Sequence, residues 1–122
     1  MIQGSTGIHL RAQQIDNLSG IFLSHSYLGI TWNELNNNHG IIQSQTNTDL
    51  VFQNHNNNTQ GKSLSGHDLA VQASSVDNIH GTLQGLGDIR LSLQNYLDNS
   101  QGWIKANKDL TMTSQRIDNN KT

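Results

Sequence analysis

The 122-residue chain has the length of a single domain and carries a net charge of −2. Hydrophobic residues make up only 33% of it, aromatic residues 5% and charged residues 13%. The small net charge gives no electrostatic basis for binding nucleic acid or an anionic membrane, and the lack of Cys excludes disulfides, thiolate metal sites and a Cys nucleophile in this chain.

The polar residues are mainly Asn, Gln, Ser, Thr and Gly, which favour turns and hydrogen-bonded ladders over helices. No run of apolar residues is long enough for a transmembrane helix, so we predict no membrane insertion. The N-terminal stretch MIQGSTGIHL lacks the basic and long apolar parts of a secretion signal. If the protein is exported, we expect the signal to lie on a portion outside this chain.

One turn is written six times along the chain. In order, the copies are IDNLSG from Ile15, LNNNHG from Leu35, NNNTQG from Asn56, VDNIHG from Val76, LDNSQG from Leu97 and IDNNKT from Ile117. The third position of the turn is Asn in every copy. A Gly follows it three residues later in five copies, at Gly20, Gly40, Gly61, Gly81 and Gly102.

An apolar residue opens the unit before each turn. The openers are Ile8, Leu28, Leu50, Leu69, Ile89 and Leu110. A second apolar residue follows two positions later, at Leu10, Ile30, Phe52, Val71, Leu91 and Met112. A spacing of two places side chains on one face of a strand, and the Gly and Asn content opposes a helix.

A repeat of about 20 residues built from short strands predicts an all-β parallel β-helix, or solenoid. Leucine-rich repeats have a similar length, but their Asn stands closer to the apolar pair. Hairpin barrels need tight reversing turns, whereas identical units favour stacking in parallel register. We therefore predict one domain over residues 1–122, with about six coils stacked at the strand spacing of about 4.8 Å.

Stacking explains the constant Asn. At a corner the backbone loses its ladder partners, and an Asn side chain offers both a donor and an acceptor. We predict a structural ladder of Asn17, Asn37, Asn58, Asn78, Asn99 and Asn119. The following Gly is predicted to supply a bend with unusual φ.

Nearly all acidic residues fall into two predicted columns. The corner column contains Asp16, Asp77, Asp98 and Asp118, with Asn36 and Asn57 between them. The second column stands directly before the openers and contains Asp49, Asp68, Asp88 and Asp109. Stacked carboxylates could hold Ca²⁺, but we favour capping of backbone groups in Asx-turns and predict neither a metal nor another cofactor.

Catalytic and zinc sites find little support in the sequence. His39 and His80 share a repeat position but lie two coils apart, too far for one zinc ion, and we predict solvated histidines. A β-helical polysaccharide-active enzyme needs carboxylates converging on a groove, and Glu34 is the only Glu. We predict that the chain is not an enzyme.

The two tryptophans occupy different kinds of position, and only Trp103 is a possible partner contact. Trp103 follows its Gly at a position occupied elsewhere by residues as different as Lys62 and Thr82, which indicates an exposed column. An exposed Trp can contact a sugar or a partner protein, although covering an apolar flank is the alternative. Trp32 continues the inward alternation of its strand, and we predict that it lies in the core.

The units LAVQASSVDNIHGTLQGLGD and IRLSLQNYLDNSQGWIKANKD resemble the haemagglutinin repeats of filamentous-haemagglutinin-type exoproteins, which bacterial two-partner secretion systems export. The resemblance covers almost the whole chain. Units two and three depart from it, because Asn36 and Asn57 replace the Asp and Asn56 replaces the aliphatic residue. At Asn56 we expect a local bulge or a hydrated pocket.

The resemblance implies a right-handed β-helix in a long fibre, secreted by or displayed on a Gram-negative cell. It implies a role as an adhesin, a haemolysin or the stalk of a contact-dependent growth-inhibition toxin. An outer-membrane transporter of the parent protein, and a host or target-cell receptor or glycan, are the partners that it implies.

The first and last residues each lie halfway round a predicted coil. The stretch MIQGSTG aligns with TLQGLGD, and IDNNKT stops just after a corner. A solenoid needs polar capping repeats at its ends, and none is recognised here. We therefore expect a segment of a longer array that can associate end to end through its open edges.

Overall fold

The computed structural model describes residues 1–121, without the side chain of Trp32, whose predicted place in the core therefore lies outside the described residues. All its regular elements are strands, and none of the described residues forms a helix long and apolar enough to span a bilayer. In chain order the strands are β1 (Ile2–Gly4), β2 (Ile8–Asp16), β3 (Ile21–Ser24), β4 (Leu28–Asn36), β5 (Ile41–Ser44), β6 (Thr48–Phe52), β7 (His55–Asn57), β8 (Lys62–Ser65), β9 (Leu69–Asp77), β10 (Thr82–Gly85), β11 (Ile89–Asp98), β12 (Trp103–Ala106), β13 (Leu110–Thr113) and β14 (Arg116–Asp118).

The strands form two parallel sheets, and each sheet takes one row of strands from every coil. The first sheet has the order β1-β3-β5-β8-β10-β12. The second has the order β2-β4-β6-β9-β11-β13, with β7 pairing with β4 and β9, and β14 pairing with β11. The predicted parallel β-solenoid of about six coils is confirmed.

Side chains from both sheets build one hydrophobic core, made of four columns together with the buried side chains of Phe52, Ala73 and Leu93. The second sheet contributes Ile8, Leu28, Thr48, Leu69, Ile89 and Leu110, then Leu10, Ile30, Leu50, Val71, Leu91 and Met112, then Ile15, Leu35, Asn56, Val76, Leu97 and Ile117. The first sheet contributes Ile2, Phe22, Ile42, Ser63, Leu83 and Ile104. Stacking like residues removes apolar surface from water on every coil.

The predicted opener of the third coil, Leu50, is wrong. Thr48 pairs with Leu28 and with Leu69, whereas Leu50 pairs with Ile30 in the neighbouring column. A slip of two residues keeps the same side chains facing inward, so the alternation of apolar residues could not fix the register. With Thr48 in place, successive residues of this column lie 20 or 21 positions apart.

The extra residue of the third coil forms an interruption between β6 and β7. Two bend residues, Gln53 and Asn54, separate these strands. The backbone N–H of Asn54 donates to the oxygen of Asn33 (2.9 Å), and its own oxygen accepts the N–H of Ser74 (2.8 Å). The bulge that the sequence suggested near Asn56 is therefore present, and its backbone is hydrogen-bonded to both neighbouring coils.

The third coil carries polar side chains in three of the four core columns. Thr48, Asn56 and Ser63 are all buried, and Thr48 Oγ1 and Ser44 Oγ form a hydrogen bond of 2.7 Å. Asn56 is fully buried, and neither its Oδ1 nor its Nδ2 has a hydrogen-bond partner among the described residues. Burying an unpaired amide costs free energy, so this coil is the weak point of the core.

Candidate functional site

A column of six asparagine side chains closes one corner of the solenoid. From each coil to the next, one Nδ2 donates to the following Oδ1 over 2.7–2.8 Å. The members are the residues predicted from the sequence: Asn17, Asn37, Asn58, Asn78, Asn99 and Asn119. The column crosses the whole described solenoid, so it links all six coils through side chains alone.

The same amides also bind the first sheet. The Nδ2 of Asn58 donates to the backbone oxygen of Thr82 (3.0 Å), and that of Asn78 donates to the oxygen of Trp103 (3.0 Å). Asn58 and Asn78 are fully buried, where an amide without partners would be destabilising. The ladder therefore fixes each corner to the first-sheet strand of the next coil, and a hydroxyl could not make all of these bonds.

The Gly after each corner Asn has a different role from the one predicted. The left-handed φ, between 53° and 59°, belongs to the residue before it, at Ser19, His39, Gln60, His80 and Gln101. The Gly is required because of space: a Cβ at Gly40 would overlap the backbone oxygen of Asn17 and the Oδ1 of Asn37. The sequence could not separate these two reasons, since both call for a residue without a side chain.

Two of the corner acids cap their own turns. The Oδ1 of Asp16 accepts the N–H of Leu18 (3.1 Å), and the Oδ1 of Asp98 accepts the N–H of Ser100 (3.0 Å). Where Asn replaces Asp, the amide oxygen does the same, as in the bond from the N–H of Thr59 to Asn57 (3.0 Å). An Asx-turn needs only an oxygen acceptor, which explains why units two and three tolerate Asn.

The second acidic column does not contain Asp49. Asp49 pairs with Gly29 and Ala70 one column away, and the place before the third opener belongs to Asn47. This error follows from the misplaced Leu50. The remaining acids, Asp68, Asp88 and Asp109, lie in register with Asn47.

In this corrected column, the carboxylates of Asp68 and Asp88 accept hydrogen bonds from the backbone of the next coil and not from their own turns. The Oδ1 of Asp68 accepts the N–H of Asp88 (2.8 Å), and the Oδ1 of Asp88 accepts the N–H of Asp109 (3.0 Å). Each carboxylate therefore caps the next coil. Across residues 1–121, no group of three or more His, Asp or Glu side chains is placed to hold a metal ion.

A tyrosine occupies the place before the second opener. The ring of Tyr27 covers Gly29, its hydroxyl donates to Asp49 Oδ2 (2.9 Å), and the ring of His9 lies 5.0 Å away. Burial raises the pKa of the Tyr27 hydroxyl, and the hydrogen bond and negative charge of Asp49 raise it further. Sequence reasoning missed this cluster, although a lone Gly inside a strand beside an aromatic residue is a signal for it.

The bulge of the third coil brings His55 to two side chains of the fourth. Its Nδ1 lies 2.7 Å from Ser75 Oγ, and its Nε2 lies 3.0 Å from Asp77 Oδ2. The side chain is 33% exposed, and the extra residue places it opposite Ser75. Ser75 is only 7% exposed, whereas a serine nucleophile must reach its substrate. The contact therefore ties the third coil to the fourth.

Glu34 lies far from the acidic column that stands before the openers. It is exposed near the end of β4, seven residues after Tyr27, which places it roughly 20 Å from the start of the strand. Carboxylates for glycoside hydrolysis must flank one bond at less than half that separation.

Trp103 is the most exposed aromatic side chain on the first sheet. It is 68% exposed and pairs with Thr82, which pairs with Lys62, as the sequence predicted for this column. A cavity of about 350 Å³ lies beside it, lined also by Asn120 and Lys121. An exposed indole next to amide and ammonium groups can contact the apolar face of a sugar or a protein side chain.

The haemagglutinin repeat family model matches residues 2–51, 49–101 and 98–122. No curated protein and no solved structure was found to match the chain.

Proposed function

Because the chain belongs to the haemagglutinin repeat family, we propose that it is a rigid structural segment of a secreted or cell-surface filamentous adhesin or toxin-presenting fibre. The family and the β-solenoid fit a structural repeat of a filamentous adhesin. The observation that supports a mechanical role best is the unbroken asparagine ladder, in which every coil is bonded to the next. A fibre of this kind works by holding a binding or toxic domain at a distance.

The stacked coils give the segment its reach. Each coil adds about 4.8 Å along the axis, so six coils span roughly 30 Å. Bending would have to stretch the strand pairs of both sheets, the core columns and the ladder together. A segment built in this way is stiff, unlike a flexible linker of the same length.

The parent fibre is proposed to leave a Gram-negative cell through an outer-membrane transporter of two-partner secretion. Haemagglutinin repeat proteins are typically secreted or found at the cell surface. The lack of Cys is compatible with export, since the chain needs no disulfide chemistry after crossing a membrane.

A second candidate function is direct binding of a receptor or glycan. It is favoured by the 68% exposure of Trp103 and by the cavity beside it. In this case the segment would bind the receptor or glycan itself, in addition to acting as a rigid spacer.

Small-angle X-ray scattering of the chain and of two copies fused directly in repeat register tests the mechanical role. A rigid segment predicts a rod whose length doubles on fusion while its cross-section stays constant. A fused chain with the dimensions of two freely jointed bodies would contradict the proposal.

Adhesion of coated beads to host cells and to arrayed glycans separates the two candidates. A pure spacer gives no binding above uncoated beads for either the native chain or Trp103→Ala. Binding by the native chain that disappears with Trp103→Ala, but not with the exposed control Gln72→Ala, supports a contact role instead.

A further inference from the structure

The third coil, residues 48–68, divides the apolar core into two blocks. On the coils before and after it, three core columns are filled by buried aliphatic side chains, namely Leu28, Leu35 and Ile42 on one side and Leu69, Val76 and Leu83 on the other. Thr48, Asn56 and Ser63 occupy the same columns between them. Burying these polar side chains contributes less stability than burying aliphatic ones, so its core holds the third coil less firmly than either neighbour.

The second sheet is also interrupted at this coil. β4 and β9 are continuous strands of nine residues each, but the third coil lies between them as two short strands, β6 and β7. The backbone of Asn54 bridges the gap with hydrogen bonds to both neighbouring coils. An interrupted strand pair opens more readily than a continuous one, because fewer bonds must be lost together.

Opening the third coil would release the buried amide of Asn56 to water. In the folded chain this side chain is fully buried, and neither its Oδ1 nor its Nδ2 has a hydrogen-bond partner within residues 1–121. Both atoms would gain hydrogen bonds to water on opening. The bonds of His55 to Ser75 and Asp77 would be exchanged for bonds to water at a small net cost. This coil is therefore easier to open than a coil filled with aliphatic side chains.

We propose that the third coil is a point of local opening, which unfolds while the second and fourth coils keep their contacts with the rest of the solenoid. Thr48 and Leu69 are 21 positions apart, so the opened coil reaches up to about 70 Å, whereas the folded coil adds about 4.8 Å. A fibre under tension would therefore lengthen first at this coil. The role under tension rests on the proposed function as a fibre segment, whereas the opening itself does not.

Native-state hydrogen exchange of the backbone tests the opening, because equivalent amides of one column differ in the coils that they join. The N–H of Ile41 joins the second coil to the first, and that of Lys62 joins the third coil to the second, each over 2.9 Å. After correction for intrinsic rates, opening of the third coil should make Lys62 exchange at least about tenfold faster than Ile41.

The Asn corner provides a second matched pair. The N–H of Asn58 joins the third coil to the fourth, and that of Asn78 joins the fourth coil to the fifth, each over 2.7 Å. Asn58 should exchange faster than Asn78 by the same factor. Fraying from the first coil gives a different order, in which Ile41 exchanges at least as fast as Lys62. That order, or equal protection within both pairs, would overturn the proposal.

A repaired variant tests the cause of the opening. Thr48→Val combined with Asn56→Leu fills two of the polar core positions with aliphatic side chains of similar size. The exchange of Lys62 and Asn58 should slow at least about tenfold in this variant, because opening would then expose apolar surface.

Asn54→Leu is the matched control, because it adds an aliphatic side chain at an exposed position of the same coil and should leave these rates unchanged. Equal rates in the native and repaired chains would overturn the proposal. A rare opening leaves the average shape a rod, so that result would not affect the scattering test of rigidity.

Pulling the chain by its two ends in optical tweezers tests the role under tension. The native chain should lengthen in an early step of up to about 70 Å before the other coils unfold, and the repaired variant should lack this step. Unfolding of the whole native chain in one step would overturn this role.

Discussion

The Nδ2 of Asn78 donates to the Oδ1 of Asn99 over 2.7 Å, although 21 residues separate them in the chain. The same Asn78 accepts from Asn58 through its Oδ1, so it links three consecutive coils. Both Asn58 and Asn78 are fully buried. The corner turn is repeated in the sequence because each copy is a member of this one continuous structure.

Replacing Asn78 with Asp should destabilise the fold by about 3 kcal/mol at neutral pH. The carboxylate keeps the acceptor for Asn58, but it faces the Oδ1 of Asn99 without a proton to donate. As the pH falls toward about 4, the ordinary pKa of Asp, protonation restores a donor, and the difference from the native chain should narrow. Urea unfolding at several pH values measures this, with Asn107→Asp at an exposed site as the control. An equal effect from both substitutions would contradict the role of the ladder.

Replacing Asn56 with Leu should stabilise the fold by about 2 kcal/mol. The substitution removes a fully buried amide without partners and places an aliphatic side chain between Leu35 and Val76. Thermal unfolding provides the measurement. Asn54→Leu adds the same side chain at an exposed position two residues earlier and should give no gain. Loss of stability in Asn56→Leu would mean that the buried amide has a partner in solution.

Replacing Gly81 with Ala should cost about 2 kcal/mol, because the added Cβ would overlap the backbone oxygen of Asn58 and the Oδ1 of Asn78. Denaturant titration of Gly81→Ala against Thr82→Ala, the next residue along, separates this clash from a general effect of Ala in the region. If the Ala variant were as stable as the native chain, the close approach of neighbouring corners would be disproved.

Raising the pH above 10 should weaken the fold through Tyr27. Burial, followed by the hydrogen bond to Asp49 and its charge, raises the pKa of Tyr27 above 10.0 in the folded state. The folded chain therefore holds this proton more tightly than the unfolded chain. The resulting stabilisation is complete below the unfolded pKa and is lost as pH rises through the folded pKa.

Tyr27→Phe removes this titration and should flatten the alkaline side of the stability profile. The urea midpoints of the native chain and of Tyr27→Phe are measured from neutral pH to pH 11. The difference between the two midpoints cancels the titration of Lys and Arg, which both proteins share. Parallel profiles would show that Tyr27 does not titrate differently in the two states.

The fold could be predicted because the turn repeats at a nearly constant period. A polar turn that recurs with one unchanging Asn indicates stacking, and the resemblance to haemagglutinin repeats, which the family match confirmed, indicated the same architecture. The position of each ladder Asn followed from the repeat alone. Neither conclusion required knowledge of the contacts between side chains.

The third coil could not be predicted, because its sequence lacks the apolar residues that mark the register. Thr48 occupies a place that holds an aliphatic residue in the other coils, and this shifted the predicted opener to Leu50 and the acidic column to Asp49. The contacts of His55 depend on that same register. A buried Thr is identified only by its partner, here Ser44, which the chain order does not reveal.

Hydrogen exchange and NOE measurements on the side-chain amides of the ¹⁵N-labelled protein test the stacked ladder most directly. The Nδ2 protons of Asn58 and Asn78 should be protected from exchange and should show contacts to the amide of the next coil, while those of exposed Asn107 exchange at once. If the amide protons of Asn78 exchanged as fast as those of Asn107 and showed no contact with Asn99, the ladder and the stiffness attributed to it would be wrong.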